Sequence, residues 1–148
     1  MTNFQRTEAW LKACDKTPSP RNLSVQIGCD IEEATELLLC LELDNELFAT
    51  HMMAIIEGLQ IIGGAIKKGH VQAKIRDHLR EEALDAICDR EVTGNGIAYL
   101  AGFDKDGADQ AVLASNDAKL VDGKPVLLEG GKIGKPEGWQ APSLEAFI

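Results

Sequence analysis

Residues 30–39 read DIEEATELLL, so Glu32, Glu33 and Glu36 interrupt what is otherwise an apolar helical stripe. At about 100° per residue, Glu33 and Glu36 fall about 60° apart and Glu32 and Glu36 about 40° apart. Val25, Cys29, Glu36 and Cys40 share one stripe of that helix. A second acidic stripe follows in HLREEALDAICDRE, where His78, Glu82, Asp85 and Asp89 recur at intervals of four, three and four. Like charges at these spacings destabilise a bare helix, and in a semi-buried place they raise one another's pKa. Hard divalent cations with oxygen ligands remove that penalty, and facing helices of a bundle are a standard way to present such ligands. The bland reading of the same residues is a solvated, outward-facing acidic surface, and the spacing alone leaves both open.

Positioning these side chains requires helices, and the chain supplies them. A first helix is expected over residues 3–16, stopped by TPSP at 17–20, where Pro18 and Pro20 cannot continue it. A second is expected from Asn22 or Ser24 to about Leu43, and a third from a cap at Asp44 or Asn45 to about Lys68, with Gly69 as its stop. A fourth stretch runs from Val71 to about Leu100. Its TGNG (93–96) is poor helix material and implies a kink or the close approach of a neighbour. A short fifth helix spans residues 107–118. Beyond Leu120 turn signals dominate: Asp122-Gly123 and Gly130-Gly131 read as turns, with a small hairpin expected around 124–134. Trp139, Pro142, Leu144 and Phe147 look like anchors of an extended tail.

The 148 residues suit one all-α domain, with a helix and linker over 1–20 and a tail over 121–148. The four cysteines show no CxxC spacing, and three lie in apolar helical contexts, which reads as a reducing cytoplasm. A net charge of −9 argues against binding nucleic acid through its phosphates, though not against a small polyanion screened by metal. No apolar signal core opens the chain. The greasiest stretch, residues 52–66, carries Glu57 and Gln60 and is too short to span a bilayer, so no membrane partner is expected. The same stretch offers more apolar surface than one four-helix core needs, which predicts a homodimer or homotetramer. His51 and His70 read as surface or cap residues, Trp10 as core or interface. Trp139 reads as packing or as a base-stacking residue.

Glu32-Glu33-x-x-Glu36 followed by Glu82-x-x-Asp85 resembles the EExxE…ExxD signature of the all-α nucleoside triphosphate pyrophosphatases. That superfamily holds the MazG-like enzymes, dimeric dUTPases and phosphoribosyl-ATP pyrophosphatase. Ser115-Asn116-Asp117-Ala118-Lys119 is similar to the SNxxK element that closes the nucleotide site in several members, and the stretch from DGKP to GWQAP resembles the tail after it. The likeness covers about residues 24–148. It implies a MazG-like four-helix bundle with a short C-terminal hairpin and extended tail. It further implies Glu33, Glu36, Glu82 and Asp85 as Mg²⁺ ligands (Mn²⁺ as a substitute), and Glu32 orienting or deprotonating the attacking water. Asn116 and Lys119 would contact the nucleotide, and Asp89 could extend the metal cluster. Two departures stand out. Forty-five residues separate Glu36 from Glu82, longer than usual, and Ala111 to Ala114 replace the acid and histidine that members often carry before the asparagine.

The resemblance therefore implies Mg²⁺-dependent cleavage of a (d)NTP, with a mild preference for a pyrimidine deoxynucleotide, to its monophosphate and pyrophosphate. A non-catalytic all-α module that binds a nucleotide or a protein is the alternative. A ferritin-like di-iron site is weaker, because the Glu-x-x-His pairs it needs are absent.

Overall fold

The computed structural model describes residues 1–128 and 133–148. Among the described residues the chain is all-α apart from one two-stranded hairpin and an isolated β-bridge. Its elements are α1 (Asn3–Ala13), α2 (Pro20–Leu39), α3 (Glu46–Lys67), α4 (Arg80–Ala101), α5 (Lys105–Asp117), β1 (Leu120–Val121) and β2 (Lys124–Pro125). They fall into two compact units, a central one of Pro18–Asp77 and a terminal one of Met1–Thr17 with His78–Ile148.

The central unit is a helical hairpin. Ser19 caps α2 by accepting from Asn22 N–H at 3.1 Å, and Pro20 takes the first helical position, where its missing N–H is harmless. The helix therefore starts earlier than Asn22, and it ends at Leu39 rather than near Leu43. Asn45 caps α3 by accepting from Leu47 and Phe48, and Gly69 at φ 77° ends it in the left-handed region that glycine enters without strain. The two helices meet where side chains vanish. A Cβ on Gly28 would lie 2.9 Å from Lys67 N and 3.1 Å from Gly63 O, and one on Gly63 would lie 3.0 Å from Ile31 Cγ2. Ile56, Ile66 and Thr35 fill the buried seam around this crossing, and Thr35 Oγ1 returns its hydroxyl to Ile31 O at 2.6 Å.

A helical hairpin can cover only one face of each helix. On α3 the opposite face stays open, with Leu47, Phe48, Met53, Ile55, Ile61 and Ile62 all more than half exposed. Glu57 lies on exposed surface. At 22 residues α3 is longer than the apolar stretch read in the sequence, and by length and composition it is apolar enough to cross a membrane.

The fourth helix does not begin at Val71. Residues 71–76 are not helical; a 3₁₀ turn spans Asp77–Leu79 and α4 starts at Arg80. The cause lies in α2, where buried Ser24 Oγ accepts the Ala73 N–H at 2.9 Å and takes a donor that a helix would need.

In the terminal unit α1 lies on α5. Arg6 donates to Asp117 at 2.7 Å and to Gln110 at 2.8 Å, and Asn3 donates to Asp109 at 3.1 Å. The helix ends at Ala13, with Asp15 at φ 56°, shorter than the span to residue 16. Helix α4 continues unbroken through TGNG, and a Cβ at Gly94 or Gly96 would meet nothing within 4 Å among the described residues. The close neighbour expected there is not part of this unit. Leu84, Ile87, Val92 and Leu100 on α4 are likewise exposed. Asp122 and Gly123, both at positive φ, turn β1 into β2 four residues upstream of the hairpin expected at 124–134. That expected hairpin contributes an isolated antiparallel bridge, Leu127 to Ile133, while its Gly130-Gly131 turn lies outside the described residues. Of the tail anchors, Phe147 packs on Gly107 and accepts from Asp104 N–H at 2.8 Å, whereas Leu144 stays 37% exposed.

The crossing makes a direct prediction. Gly28→Ala is expected to cost about 1–3 kcal/mol, because the new methyl meets backbone that cannot step aside. Gly58→Ala, which meets nothing within 4 Å, is expected to gain about 0.5–1 kcal/mol from helix propensity. Urea midpoints of the two variants check this; equal midpoints would contradict it.

Candidate functional site

The carboxylates read in the sequence divide between the two units. Glu32, Glu33 and Glu36 belong to α2 in the central unit, and Glu82 and Asp85 to the first two turns of α4 in the terminal unit. All five are exposed residues, not semi-buried ones.

On α2 the three acids occupy one turn and a cavity of about 290 Å³ opens beside them. Glu32 and Glu36 line it from α2, while Gln60 and Lys67 line it from α3 above a floor of Leu39, Leu59 and Thr35. Lys67 Nζ donates to Glu32 Oε2, and this bond, more than the surrounding charge, raises the lysine's pKa. Glu33 is pushed up from the usual carboxylate range. Its carboxyl is partly shielded from water at the helix edge, and the charges of Glu36 and Glu32 add to that shielding, with Lys67 opposing. Among the described residues neither the Glu33 nor the Glu36 carboxylate accepts a hydrogen bond or joins an ion pair. Their oxygen donors suit a hard divalent cation in chemistry. Among the described residues, however, no group of three or more His, Cys, Asp or Glu side chains is gathered as a metal site.

Helix α4 has no side-chain cap, and Glu81 and Glu82 sit in its first turn. Acids there offset the positive end of the helix dipole, so Glu82 has a structural task as well. His78 falls in the 3₁₀ turn before α4 rather than on its stripe, so the four-residue acidic face reduces to Glu82, Asp85 and Asp89.

Asn116 and Lys119 do come together. Lys119 Nζ donates to Asn116 Oδ1 at 2.9 Å, and both residues are half-buried. Two indoles hold the segment. Trp10 Nε1 donates to Asn116 O, which also accepts the Lys119 N–H, and Trp139 Nε1 donates to Ser115 O, each indole bond at 2.9 Å, at the end of α5 where carbonyls run out of helical donors. The ammonium groups of Lys119 and Lys135 lie 5.3 Å and 4.5 Å from the Trp139 ring centroid. Trp139 therefore packs, and a small cationic patch forms on a chain that is otherwise acidic.

Lys67 and Lys135 were not legible as site residues. Lys67 reads in sequence as a helix-ending basic residue, and only the hairpin carries it to α2. All four cysteines are free thiols: Cys14 is buried, Cys29 half-buried, and Cys40 and Cys88 are exposed despite their apolar helical contexts. Burial raises the Cys14 and Cys29 thiols above their ordinary pKa.

The raised Glu33 pKa has a sign that can be checked. The folded state binds this proton more tightly than the unfolded state, so the carboxylate costs stability above its folded pKa and nothing below the unfolded value near 4.3. In EDTA, Glu33→Gln is expected to raise Tm at pH 7 and to leave it unchanged near pH 4. A variant equally shifted at both pH values, or destabilised at pH 7, would contradict this.

No family model, curated protein or solved structure matches the chain significantly.

Proposed function

We propose that the protein is a Mg²⁺-dependent nucleoside triphosphate pyrophosphohydrolase of the MazG-like all-α type, built around a four-helix bundle and acting in a reducing cytoplasm. The observation that carries this is the acidic turn of α2, where Glu32 and Glu36 line a cavity, Glu32 is held by a lysine, and the carboxylates of Glu36 and of nearby Glu33 stay unengaged among the described residues. Glu33, Glu36, Glu82 and Asp85 are the proposed ligands of Mg²⁺, with Mn²⁺ able to replace it. Bound there, Mg²⁺ supplies charge neutralisation to the phosphoryl oxygens and the departing pyrophosphate. Glu32 accepts a proton from the attacking water. Asn116 and Lys119, already joined by a hydrogen bond, present an amide and an ammonium to the nucleotide.

A (d)NTP is the substrate. A (d)NTP carries about four negative charges, and −9 on the protein makes metal screening a requirement of this reading. Glu36→Gln and Asp85→Asn are each expected to abolish both hydrolysis and the Mg²⁺-induced rise in Tm, while leaving metal-free stability equal or slightly higher because repulsion is relieved. Phosphate released from (d)NTPs through an added inorganic pyrophosphatase, with and without Mg²⁺, reads the activity. Destabilised variants of an inactive, Mg²⁺-indifferent wild type would favour the second reading, a non-catalytic module that binds a nucleotide or a protein. The uncovered apolar faces of α3 and α4 are what speak for that reading.

Those faces also support a homodimer or homotetramer, since two-thirds-exposed residues such as Ile61 and Val92 recur along both helices. Light scattering at micromolar concentration is expected to give at least twice the chain mass of 16.0 kDa. A monomer would count against it.

A further inference from the structure

The exposed apolar residues of α3 follow a repeat. Leu47-Phe48, Ala54-Ile55 and Ile61-Ile62 recur every seven residues, with His51, Gly58 and Ala65 four residues after Leu47, Ala54 and Ile61. In heptad terms Leu47, Ala54 and Ile61 share one seam position, His51, Gly58 and Ala65 the other, and Phe48, Ile55 and Ile62 form a flank. At about 100° per residue this stripe lies on the side of α3 away from Ile56 and Gly63, which face α2. It is open: its large apolar residues are each more than half exposed, and a Cβ on Gly58 would meet nothing within 4 Å. A seven-residue repeat keeps one stripe turned toward a second helix, so the repeat specifies what is missing from this face. Helix α4 does not match it, because exposed Leu84, Ile87, Val92 and Ile97 lie on every side of its axis. A bilayer fits no better. Although α3 is apolar enough to cross one, α2 packs along it and would carry Glu32, Glu33 and Glu36 into the lipid.

We propose that α3 pairs antiparallel with α3 of a second copy of this chain, about a two-fold axis passing near Ile56. This names the contact within the homo-oligomer and rests on that reading alone, not on catalysis. Two properties of the helix are self-complementary in this register. The first is shape. Leu47 of one copy meets Ala65 of the other, Ile61 meets His51, and Ala54 meets Gly58 beside the axis, where small side chains let the helices close together. On the flank Ile55 meets its own mate and Phe48 meets Ile62. A parallel pair would instead stack Gly58 on Gly58 and Ala65 on Ala65, leaving gaps between bulky layers. The second is charge. Asp44 and Glu46 stand at the start of α3, and Lys67 and Lys68 at its end. An antiparallel pair sets Lys68 of one copy beside Asp44 of the other and opposes the helix dipoles, whereas a parallel pair brings like ends together. Glu57 falls on the opposite flank, at the rim, where water screens it from its mate.

The test uses the full chain with Cys40→Ser and Cys88→Ser, which remove the two exposed thiols, and adds either Ile55→Cys or Phe48→Cys. Position 55 lies against itself across the axis. The two copies of position 48 stand apart by the length of the stretch from Phe48 to Ile62, about 21 Å of helix. A short bismaleimide is therefore expected to join Ile55→Cys chains into covalent dimers and to leave Phe48→Cys chains single. Separately, Ile61→Lys is expected to raise the dimer Kd in sedimentation equilibrium by about 100-fold or more. Its helical content by circular dichroism should hold, since Ile61 lies outside the α2 seam; if it does not, the crosslinking pattern alone decides. Equal crosslinking at both positions means a parallel pair and overturns the proposal. An oligomer whose Ile55→Cys chains stay single, or whose Kd ignores a folded Ile61→Lys, overturns it too and leaves the homo-oligomer reading standing. A monomeric parent chain, including one that instead sediments with phosphatidylcholine vesicles, overturns both.

Discussion

The absence of side chains at Gly28 and Gly63 sets the distance between α2 and α3, and much of the central unit follows from that distance. Two helices at ordinary separation would keep their backbones well apart. Here an added methyl on either glycine meets the opposite helix within about 3 Å. The close crossing buries Ile56, Ile66 and Thr35, orders the Ser24 hydroxyl against Ala73 N–H, and delivers Lys67 to Glu32. The acidic turn is therefore opposed by a cation through a backbone contact made eight residues upstream of Glu36 on α2. Packing and electrostatics share one cause.

The same geometry explains the exposed apolar surface. A hairpin of two helices has one seam, and α3 is apolar on more than the side that meets α2. Leu47, Phe48, Ile55 and Ile61 lie outside the seam, as Leu84, Ile87 and Val92 do on α4. These are the surfaces that the proposed homo-oligomer would cover.

Local signals were legible and long-range ones were not. Asn45 with Gly69, Gly102 after α4 and the Asp122-Gly123 turn all act where the residue types say they should, because each works through its own backbone. The stretch from Val71 misled because its helical pattern is real, yet Ser24, nearly fifty residues earlier, takes one of its donors. TGNG implies a kink or a close neighbour, but about 1 kcal/mol per glycine is too little to interrupt a helix of 22 residues, and no neighbour lies against Gly94 or Gly96 among the described residues. The acidic turn on α2 was evident from spacing. Its exposure and its lysine were not, since both depend on which face α3 covers. In the SNxxK stretch the Asn116–Lys119 contact follows from i, i+3 proximity, whereas the two tryptophan donors come from opposite ends of the chain.

The proposed function turns on a divalent cation held by carboxylates of this chain. Electron paramagnetic resonance of Mn²⁺ tests it without depending on activity, because the free hexa-aqua ion gives a strong signal that protein-bound ion largely loses. Titrating metal-stripped protein into a fixed Mn²⁺ concentration should deplete the free signal saturably, and excess Mg²⁺ should restore it by competition. Retention of the full free-ion signal at protein concentrations well above that of the metal would contradict the account.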